Sequence, residues 1–308
     1  MLPRFAWLGL TCLAVWIWLV TAAGARDIFV DNVAGDDHAE GSRARTIGGT
    51  GGPVATISKA LRLAAAGDRV VLANTGQPYR ESISLSGSRH SASEIAPFII
   101  EGGGAVLDGS ASVPADAWTH ETLDVFSFRP ARLGYQQLFL RGKPALRHPA
   151  SSGDVSPPLL EPFEWCLWDG KIMFRVEPGR LPADYDLACC GLQTGVTLYY
   201  IEGVVVRDLT VQGFQIDGIS AHDVVRGATF ERVTCRGNGR SGLSVGGSSR
   251  IELDHCRLGN NGHAQLHTEG YSATRVYDTK LIANTAPAIE HRGGEVTIDG
   301  TPLASRKP

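Results

Sequence analysis

Ionisable side chains able to do acid–base chemistry are concentrated towards the end of the sequence. His267, Glu290 and Arg292 lie close together there. Breaking an acidic polysaccharide by elimination needs a cation against the uronate carboxylate, a base for the C5 proton and an acid for the leaving oxygen. Arg292 suits the first role and His267 the second or third, while Glu290 either tunes the histidine or takes a proton itself. These three residues are the predicted catalytic set.

A second chemistry uses the carboxylates alone. Glu269 and Glu290 are the available pair for a hydrolase, which needs two carboxyl groups at a defined separation. The alternative is a plain solvated strand face, because histidine beside glutamate also arises from composition. The predicted substrate-binding residues are His222, Glu269, His291, Trp165 and Trp168.

The elements that position these residues follow from a repeat between Val204 and Gly294. Three sets of residues recur in four successive units with steps of 24, 23 and 23. A fixed period in the low twenties indicates a solenoid. The columns are Leu209, Val233, Cys256 and Thr279; Ile219, Leu243, Leu266 and Ile289; and Phe214, Asn238, Asn261 and Asn284.

Within each unit the apolar residues alternate, as in Leu243 and Val245, which is strand spacing. Strands that recur without an intervening helix stack as parallel rungs of a β-helix. Adjacent rungs lie about 4.8 Å apart, so His267 and Glu290 are expected as neighbours on an exposed face. Their column begins with Ser220 and Ser244, so the face changes from hydroxyl to ionisable along the solenoid.

The asparagine column has a structural interpretation. Asn238, Asn261 and Asn284 are expected at tight corners, where asparagine tolerates left-handed backbone, with amides bonded from rung to rung as a ladder. The position two residues before the His267 column, with Gly242 and Gln265, is predicted to point outward.

Charge and cysteine content exclude other classes of function. The net charge is −3, which argues against a sequence-independent grip on nucleic acid. No cysteine pair has metal-ligand spacing, and the predicted role of the cysteines is as small buried hydrophobes. A disulfide between Cys235 and Cys256 stays open. No cofactor is predicted: the one weak calcium candidate is the oxygen set of Asp31, Asn32, Asp36 and Asp37.

The chain divides into a leader and one domain. Residues 1–25 carry Arg4, an uncharged apolar run and Ala23-Gly24-Ala25, which is typical of a cleaved signal peptide. An uncleaved anchor is the alternative, because about 20 apolar residues span a bilayer. Either implies an exported protein, secreted or held in the cell envelope, that meets a membrane only if the leader stays. Residues 26–308 are predicted to form one domain.

Two segments depart from the repeat. Between 118 and 185 the period is lost, and the segment is predicted to be an inserted β-flap with a hairpin turning at Asp169-Gly170. Its tryptophans either line a ligand wall or pack against the solenoid. After Gly294 no amphipathic cap is apparent, so we expect the last strand to fold over the end, the protein to pair there, or the chain to be a shortened version of a longer β-helix.

The start of the chain resembles a known group. The strand "IFVDNVAGDD" followed by "ATISKALRLAAAGDRVVLANTGQPYRESISLSG" is similar to the opening of secreted right-handed parallel β-helix proteins of the pectin-lyase-like superfamily. The resemblance implies an all-β fold with a short N-terminal capping helix, beginning after Thr56. The superfamily includes lyases, hydrolases, epimerases and non-enzymatic surface proteins. We therefore expect an exported carbohydrate-active protein, the alternative being a non-catalytic carbohydrate-binding or scaffold protein.

Overall fold

The computed structural model describes residues 25–48, 50–131, 134–150 and 155–303. The predicted leader lies outside these residues, apart from Ala25. Within the described part of the chain, no helix is both long and apolar enough to cross a membrane.

The first part of the chain packs one short helix on parallel strands. The Thr56 hydroxyl accepts the Lys59 N–H at 3.0 Å and so caps the helix, which buries Ile57, Ala60 and Leu61 in the main core. That this helix closes the end of a coil remains a prediction. The elements are β1 (Asp27–Val30), α1 (Ile57–Leu63), β2 (Arg69–Leu72), β3 (Ile83–Ser86), α2 (Gly87–His90), β4 (Phe98–Glu101) and β5 (Val106–Asp108).

The aperiodic segment, together with one strand on either side of it, forms two small sheets with a hydrophobic cluster separate from the main core. The predicted hairpin is confirmed: Trp168 pairs with Lys171, and Asp169 and Gly170 have φ of 45° and 69°, as a two-residue type I′ turn requires. The strands are β6 (Ser110–Ser112), β7 (Thr119–Thr122), β8 (Val125–Phe128), β9 (Leu138–Leu140), β10 (Lys143–Pro144), β11 (Leu146–Arg147), β12 (Glu164–Trp168), β13 (Lys171–Arg175) and β14 (Leu187–Cys190), with single 3₁₀ turns at Ala115–Ala117 and Pro182–Asp184.

The repeat forms stacked parallel strands. The column from Ile219 through Leu243 and Leu266 to Ile289 pairs residue by residue, which confirms the predicted register. The strands are β15 (Val196–Arg207), β16 (Thr210–Gln212), β17 (Asp217–Glu231), β18 (Thr234–Arg236), β19 (Ser241–Val245), β20 (Arg250–Asp254), β21 (Arg257–Gly259), β22 (Ala264–Thr268), β23 (Ala273–Tyr277), β24 (Lys280–Leu281), β25 (Ile289–His291), β26 (Glu295–Ile298) and β27 (Thr301–Pro302).

The long strands β15 and β17 connect two faces of the repeat. The first halves of β15 and β17 pair with β3 and β19, and their second halves pair with β4 and β20. A separate sheet runs in the order β24-β21-β18-β16-β5. Apolar side chains from all three surfaces meet in a single core. At the end of the repeat, β27 folds back antiparallel on β26, and Leu303 packs against that core.

The asparagine ladder is shorter than predicted. The Asn238 side chain donates to Asn261 Oδ1 at 3.0 Å, and Asn261 donates to Gln265 Oε1 at 2.8 Å. Asn284 instead bonds Asn260 at the surface. The left-handed corner expected for these asparagines lies in another column, at Asp208, Arg232, His255 and Asp278, with φ of 51°, 50°, 51° and 42°.

The cysteines pack as small apolar side chains. Four of the five in the described residues are buried and Cys189 is partly so, and all five are free thiols. Burial raises the pKa of Cys166 and of Cys189 to about 11, so both remain protonated thiols at neutral pH. No disulfide joins Cys235 to Cys256.

Candidate active site

Three strands bring the predicted catalytic residues together. In β19, β22 and β25, Ser244 pairs with His267 and His267 with Glu290. The neighbouring residues of this column, such as Leu266, point into the core, so the three side chains project from the opposite side. Adjacency of His267 and Glu290 was predicted, and it is confirmed.

A second outward column runs beside the first. Tyr199 pairs with His222, and the same steps continue to Gly246, Glu269 and Arg292. The two columns are two residues apart along each strand, so their side chains project from the same face. This face brings together His222, Glu269, Glu290, His267 and Arg292 as one group, which we call the His267 cluster; His263 joins it from the strand entrance.

His267 lies between two carboxylates. Its Nδ1 is 2.9 Å from Glu290 Oε2, and its Nε2 is 3.5 Å from Glu269 Oε2. Glu290 also accepts hydrogen bonds from Arg292 Nε at 2.8 Å, and His263 Nε2 is 3.2 Å from it. The imidazole is therefore held at both nitrogens, and Glu290 is the acceptor shared by three cationic or cation-forming side chains.

The face is less exposed than the sequence predicts. His267 is only 6% exposed and Ser244 is fully buried. The prediction of an open face is wrong at these two positions because the carboxylates of Glu269 and Glu290 fold over the imidazole, and the His222 ring reaches the Ser244 hydroxyl at 3.1 Å. The longer side chains of the outer column cover the shorter ones of the inner column.

The charge state of Glu290 follows from its partners. Partial burial alone would raise the pKa of this carboxyl, but hydrogen bonds from His267 and Arg292 outweigh it and hold the pKa below its usual value. Glu290 is consequently ionised at neutral pH and is able to accept a proton or hold His267 in place.

The lowered pKa of Glu290 makes an acid-sensitive contribution to stability. A carboxyl whose pKa falls on folding stabilises the native state fully above its unfolded pKa, about 4.3, and this stabilisation is lost as pH falls through the folded value. We expect the free energy of unfolding of Glu290→Gln to converge on that of the wild type between about pH 5 and pH 3. Urea unfolding across this range measures it. A difference that stays constant with pH would contradict the prediction.

Gly246 makes room for a contact between alternate coils. His222 Nδ1 lies 3.7 Å from Glu269 Oε1 although a whole coil separates their strands. A Cβ at Gly246 would stand 2.4 Å from His222 Nδ1 and 3.1 Å from Glu269 Oε1. The missing side chain therefore permits the two groups to approach over it.

Gly246→Ala should separate His222 from Glu269 while leaving the fold intact. The obstructing atoms all belong to two side chains that can move, so the expected cost in unfolding free energy is about 1 kcal/mol or less. Activity and thermal unfolding, measured together, check this. Gly51→Ala is the matched control, because the nearest atom to a Cβ there is 3.8 Å away. Unchanged activity in Gly246→Ala would show that the His222–Glu269 contact is not needed.

Three predicted binding residues lie outside the cluster. His291 falls in the column of Val245 and Thr268, which faces inward, and its Nε2 is 3.0 Å from the Gly294 carbonyl oxygen. Trp165 is fully buried in the hydrophobic cluster of the aperiodic segment, so it cannot line a ligand wall. Trp168 is partly buried against the cluster of Leu160, Cys166 and Met173.

The column containing Gly242 and Gln265 also differs from its prediction. A Cβ at Gly242 would stand 2.7 Å from Asn261 Nδ2 and 3.2 Å from Cys235 Cβ, and Gln265 is fully buried. This column points inward, against the asparagine ladder. Regular alternation fails at the corner, and therefore period-two reasoning gives the wrong face there.

The aperiodic segment contacts the repeat beside the His267 cluster through Tyr135 and Arg147. The Tyr135 ring packs against the His263 ring, with centroids 6.1 Å apart. Arg147 lies over the Trp165 ring at 5.3 Å and donates to the Gly262 carbonyl at 3.5 Å. Nothing periodic marks Tyr135 in the sequence. Tyr199, by contrast, is one step before His222 and could have been found by extending that column.

Three cavities and one group of possible metal ligands lie away from the His267 cluster. Three cavities of about 790, 670 and 670 Å³ have no lining residue in the His267 cluster. Asp254, His255 and Asp278 have ligand atoms within 4.8 Å of one another, but they form part of an exposed corner of ion pairs. The predicted calcium ligands Asp31 and Asp37 accept backbone N–H groups of nearby turns.

Comparison with known proteins agrees with this architecture. Residues 194–301 match the family model for the right-handed beta helix region. No match was found among curated proteins. A solved structure described as a glycoside hydrolase superposes with a TM-score of 0.60 at 12% identity, over 83% of this chain and 73% of that one. The complex of XylC with xylose superposes with a TM-score of 0.52 at 12% identity, over 88% of this chain and 65% of that one.

The stacked register, the single core and the family match define the class of the repeat: this chain contains a right-handed β-helix region at residues 194–301. Identity of 12% to the solved structures makes the likeness one of fold alone. The XylC chain is longer, and less than two thirds of its length corresponds to this chain.

Proposed function

We propose that this protein is a carbohydrate-active β-helix that hydrolyses a glycosidic bond at the His267 cluster. The observation that carries the proposal is His267 held between Glu269 and Glu290, two carboxylates on one face of the repeat. The solved glycoside hydrolase of similar fold supports the same class of substrate. Export, predicted from residues 1–25, belongs to this proposal.

The two carboxylates have different surroundings and different roles. Glu290 is ionised at neutral pH and acts as the base that takes a proton from the attacking water, with His267 and Arg292 keeping it in place. Glu269, whose side chain is 45% exposed, is the proton donor to the leaving sugar oxygen. The oxygen of the water forms a bond to the anomeric carbon while the glycosidic C–O bond breaks.

The imidazole between the carboxylates points to the stereochemistry. Inverting enzymes place the two groups about 6.5–9.5 Å apart to admit a water, whereas retaining enzymes place them at about 5–5.5 Å. Glu269 and Glu290 contact opposite nitrogens of one ring and so are kept apart by its width. We therefore assign an inverting reaction.

Hydrolysis is favoured over elimination because of Arg292. Its guanidinium contacts Glu290 at 2.8 and 2.6 Å, so its charge is already partly neutralised and it is a weak partner for a uronate carboxylate. The lyase chemistry predicted from the sequence needs that cation free. Non-catalytic carbohydrate binding is the second candidate. The observation that favours it is the His267 ring, which is buried and already has a partner at each nitrogen.

The test is incubation of the purified protein with a panel of neutral and uronate polysaccharides. We expect new reducing ends from a neutral glycan, without the absorbance of unsaturated products, and ¹H NMR of fresh product should show the inverted anomer. Unsaturated uronate ends would overturn hydrolysis in favour of elimination. Binding without any product would overturn catalysis in favour of the binding role.

A further inference from the structure

We propose that Tyr199 and Tyr200 form an aromatic platform that binds a ring of a neutral oligosaccharide extending across the His267 cluster. This inference rests on the proposed carbohydrate activity of the cluster and adds a distal subsite and a substrate class to it.

The platform is on the same face as the cluster. Tyr199 pairs directly with His222, and the column continues through Gly246 to Glu269. Three coil steps separate Tyr199 from Glu269, about 14 Å at the spacing of adjacent parallel strands. A ligand that reaches both must be a chain of several sugars, since a single ring is much shorter.

Both rings are presented to solvent. Tyr199 is 50% and Tyr200 is 55% exposed, and their centroids lie 4.5 Å apart at 83°. The edge-to-face contact fixes the two rings relative to one another. Exposed aromatic pairs with a polar edge suit a sugar, which offers an apolar C–H face for stacking and hydroxyls for the surroundings.

The backbone under Tyr200 indicates that the aromatic side chain has a role. Tyr200 has φ of 46°, and the same corner in the following coils is Asp223, Gly247 and Gly270, with φ of 66°, 62° and 68°. Glycine adopts this region without strain, whereas a tyrosine does so at a cost in stability. Two later coils avoid that cost with glycine, whereas this coil bears it and presents an exposed aromatic side chain at the same corner.

The inner row between platform and cluster carries hydroxyl side chains only. Thr197 and Ser220 are partly exposed and in register, and Ser244 continues the row beneath the His222 ring. At the platform itself, the exposed carboxylate of Asp223 stands one coil from Tyr200. A uronate ring would meet this negative charge with no arginine in the row to offset it, and therefore the subsite favours neutral sugars.

The test uses Glu290→Gln as a catalytically silent background and isothermal titration with neutral oligosaccharides from disaccharide to hexasaccharide. We expect affinity to rise with length. Tyr199→Ala and Tyr200→Gly should each weaken hexasaccharide binding about tenfold and leave disaccharide binding unchanged. Tyr277→Ala, a half-buried tyrosine on the other outward face, is the matched control and should bind as the background does.

Thermal unfolding separates binding from a structural role. Removing a strained side chain should leave the Tm of Tyr200→Gly unchanged or raise it, while its affinity falls. Affinities that do not rise with ligand length, or that are equal in the tyrosine variants and the background, overturn the platform whatever the wild-type turnover is. Weakened binding in a protein that cleaves nothing overturns hydrolysis alone and supports the platform.

Discussion

Glu290→Gln should lower kcat on the cleaved polysaccharide by about 10²–10⁴-fold, the usual contribution of a positioned general base. The amide keeps the size of the side chain but neither takes a proton nor carries the charge that His267, His263 and Arg292 surround. KM should change much less, because the glycan is held mainly by the rest of the face. Initial rates of reducing-end release, measured at saturating and limiting substrate, separate the two constants.

The matched control is Glu252→Gln. Glu252 is a half-buried glutamate on the outward side of β20, and it pairs with Arg275 across the other face of the repeat. Both variants lose one negative charge from a parallel strand, so a general electrostatic effect would lower both rates alike. If the Glu290→Gln rate stays within a few-fold of the wild type, Glu290 is a positioning or structural residue and the proposed mechanism fails.

The register of the candidate site could be predicted because a solenoid converts sequence distance into spatial distance. Because Leu243, Leu266 and Ile289 occupy one column, the residues that follow them must together occupy the next column. The contact between His267 and Glu290 follows from that step alone. Extending the outer column back by one period would equally have found Tyr199 beside His222.

Burial and side-chain direction could not be predicted in the same way. Whether His267 is open or covered depends on how Glu269 and Glu290 bend over it, and the pattern of strands leaves those rotamers undetermined. Trp165 shows a second limit, because the aperiodic segment has its own core and its tryptophan packs there. No period links that segment to the repeat, so Tyr135 could not be placed either.

The β-helix fold does not determine which reaction its outward residues catalyse, and the reason is physical. The core columns determine how the coils stack, whereas the outward columns are free to vary without loss of stability, so one architecture carries unrelated chemistries. In this chain Arg292 illustrates the point. The sequence suggests that Arg292 binds a uronate carboxylate. In the structure its guanidinium contacts the carboxylate of Glu290 instead. The column does not specify which side chains pair with one another. That pairing changes the proposed reaction from elimination to hydrolysis.

Substitutions in the asparagine column should have the second large effect, which is on the free energy of unfolding. The three asparagines should not behave alike. Asn261 is fully buried; it donates to the Cys235 carbonyl at 3.1 Å and to Gln265 at 2.8 Å, and it accepts from the Asn238 N–H at 3.0 Å. Asn261→Ala removes the side-chain partner of the Cys235 carbonyl and of the Asn238 N–H in the core, while Gln265 Oε1 keeps only the Asn261 backbone N–H at 3.3 Å. Each buried orphan costs about 1–3 kcal/mol, so we expect a loss of about 3 kcal/mol in unfolding free energy.

Asn284→Ala should lose less than about 1 kcal/mol, because Asn284 is exposed and water can replace its bonds to Asn260. Urea unfolding of the two variants beside the wild type, followed by circular dichroism, measures the contrast between residues that the sequence places in one column. Equal losses would mean that the ladder extends to Asn284 in solution. A negligible loss in both would mean that the amides are not what holds adjacent coils together, and that apolar columns such as Leu243 and Leu266 carry the stacking unaided.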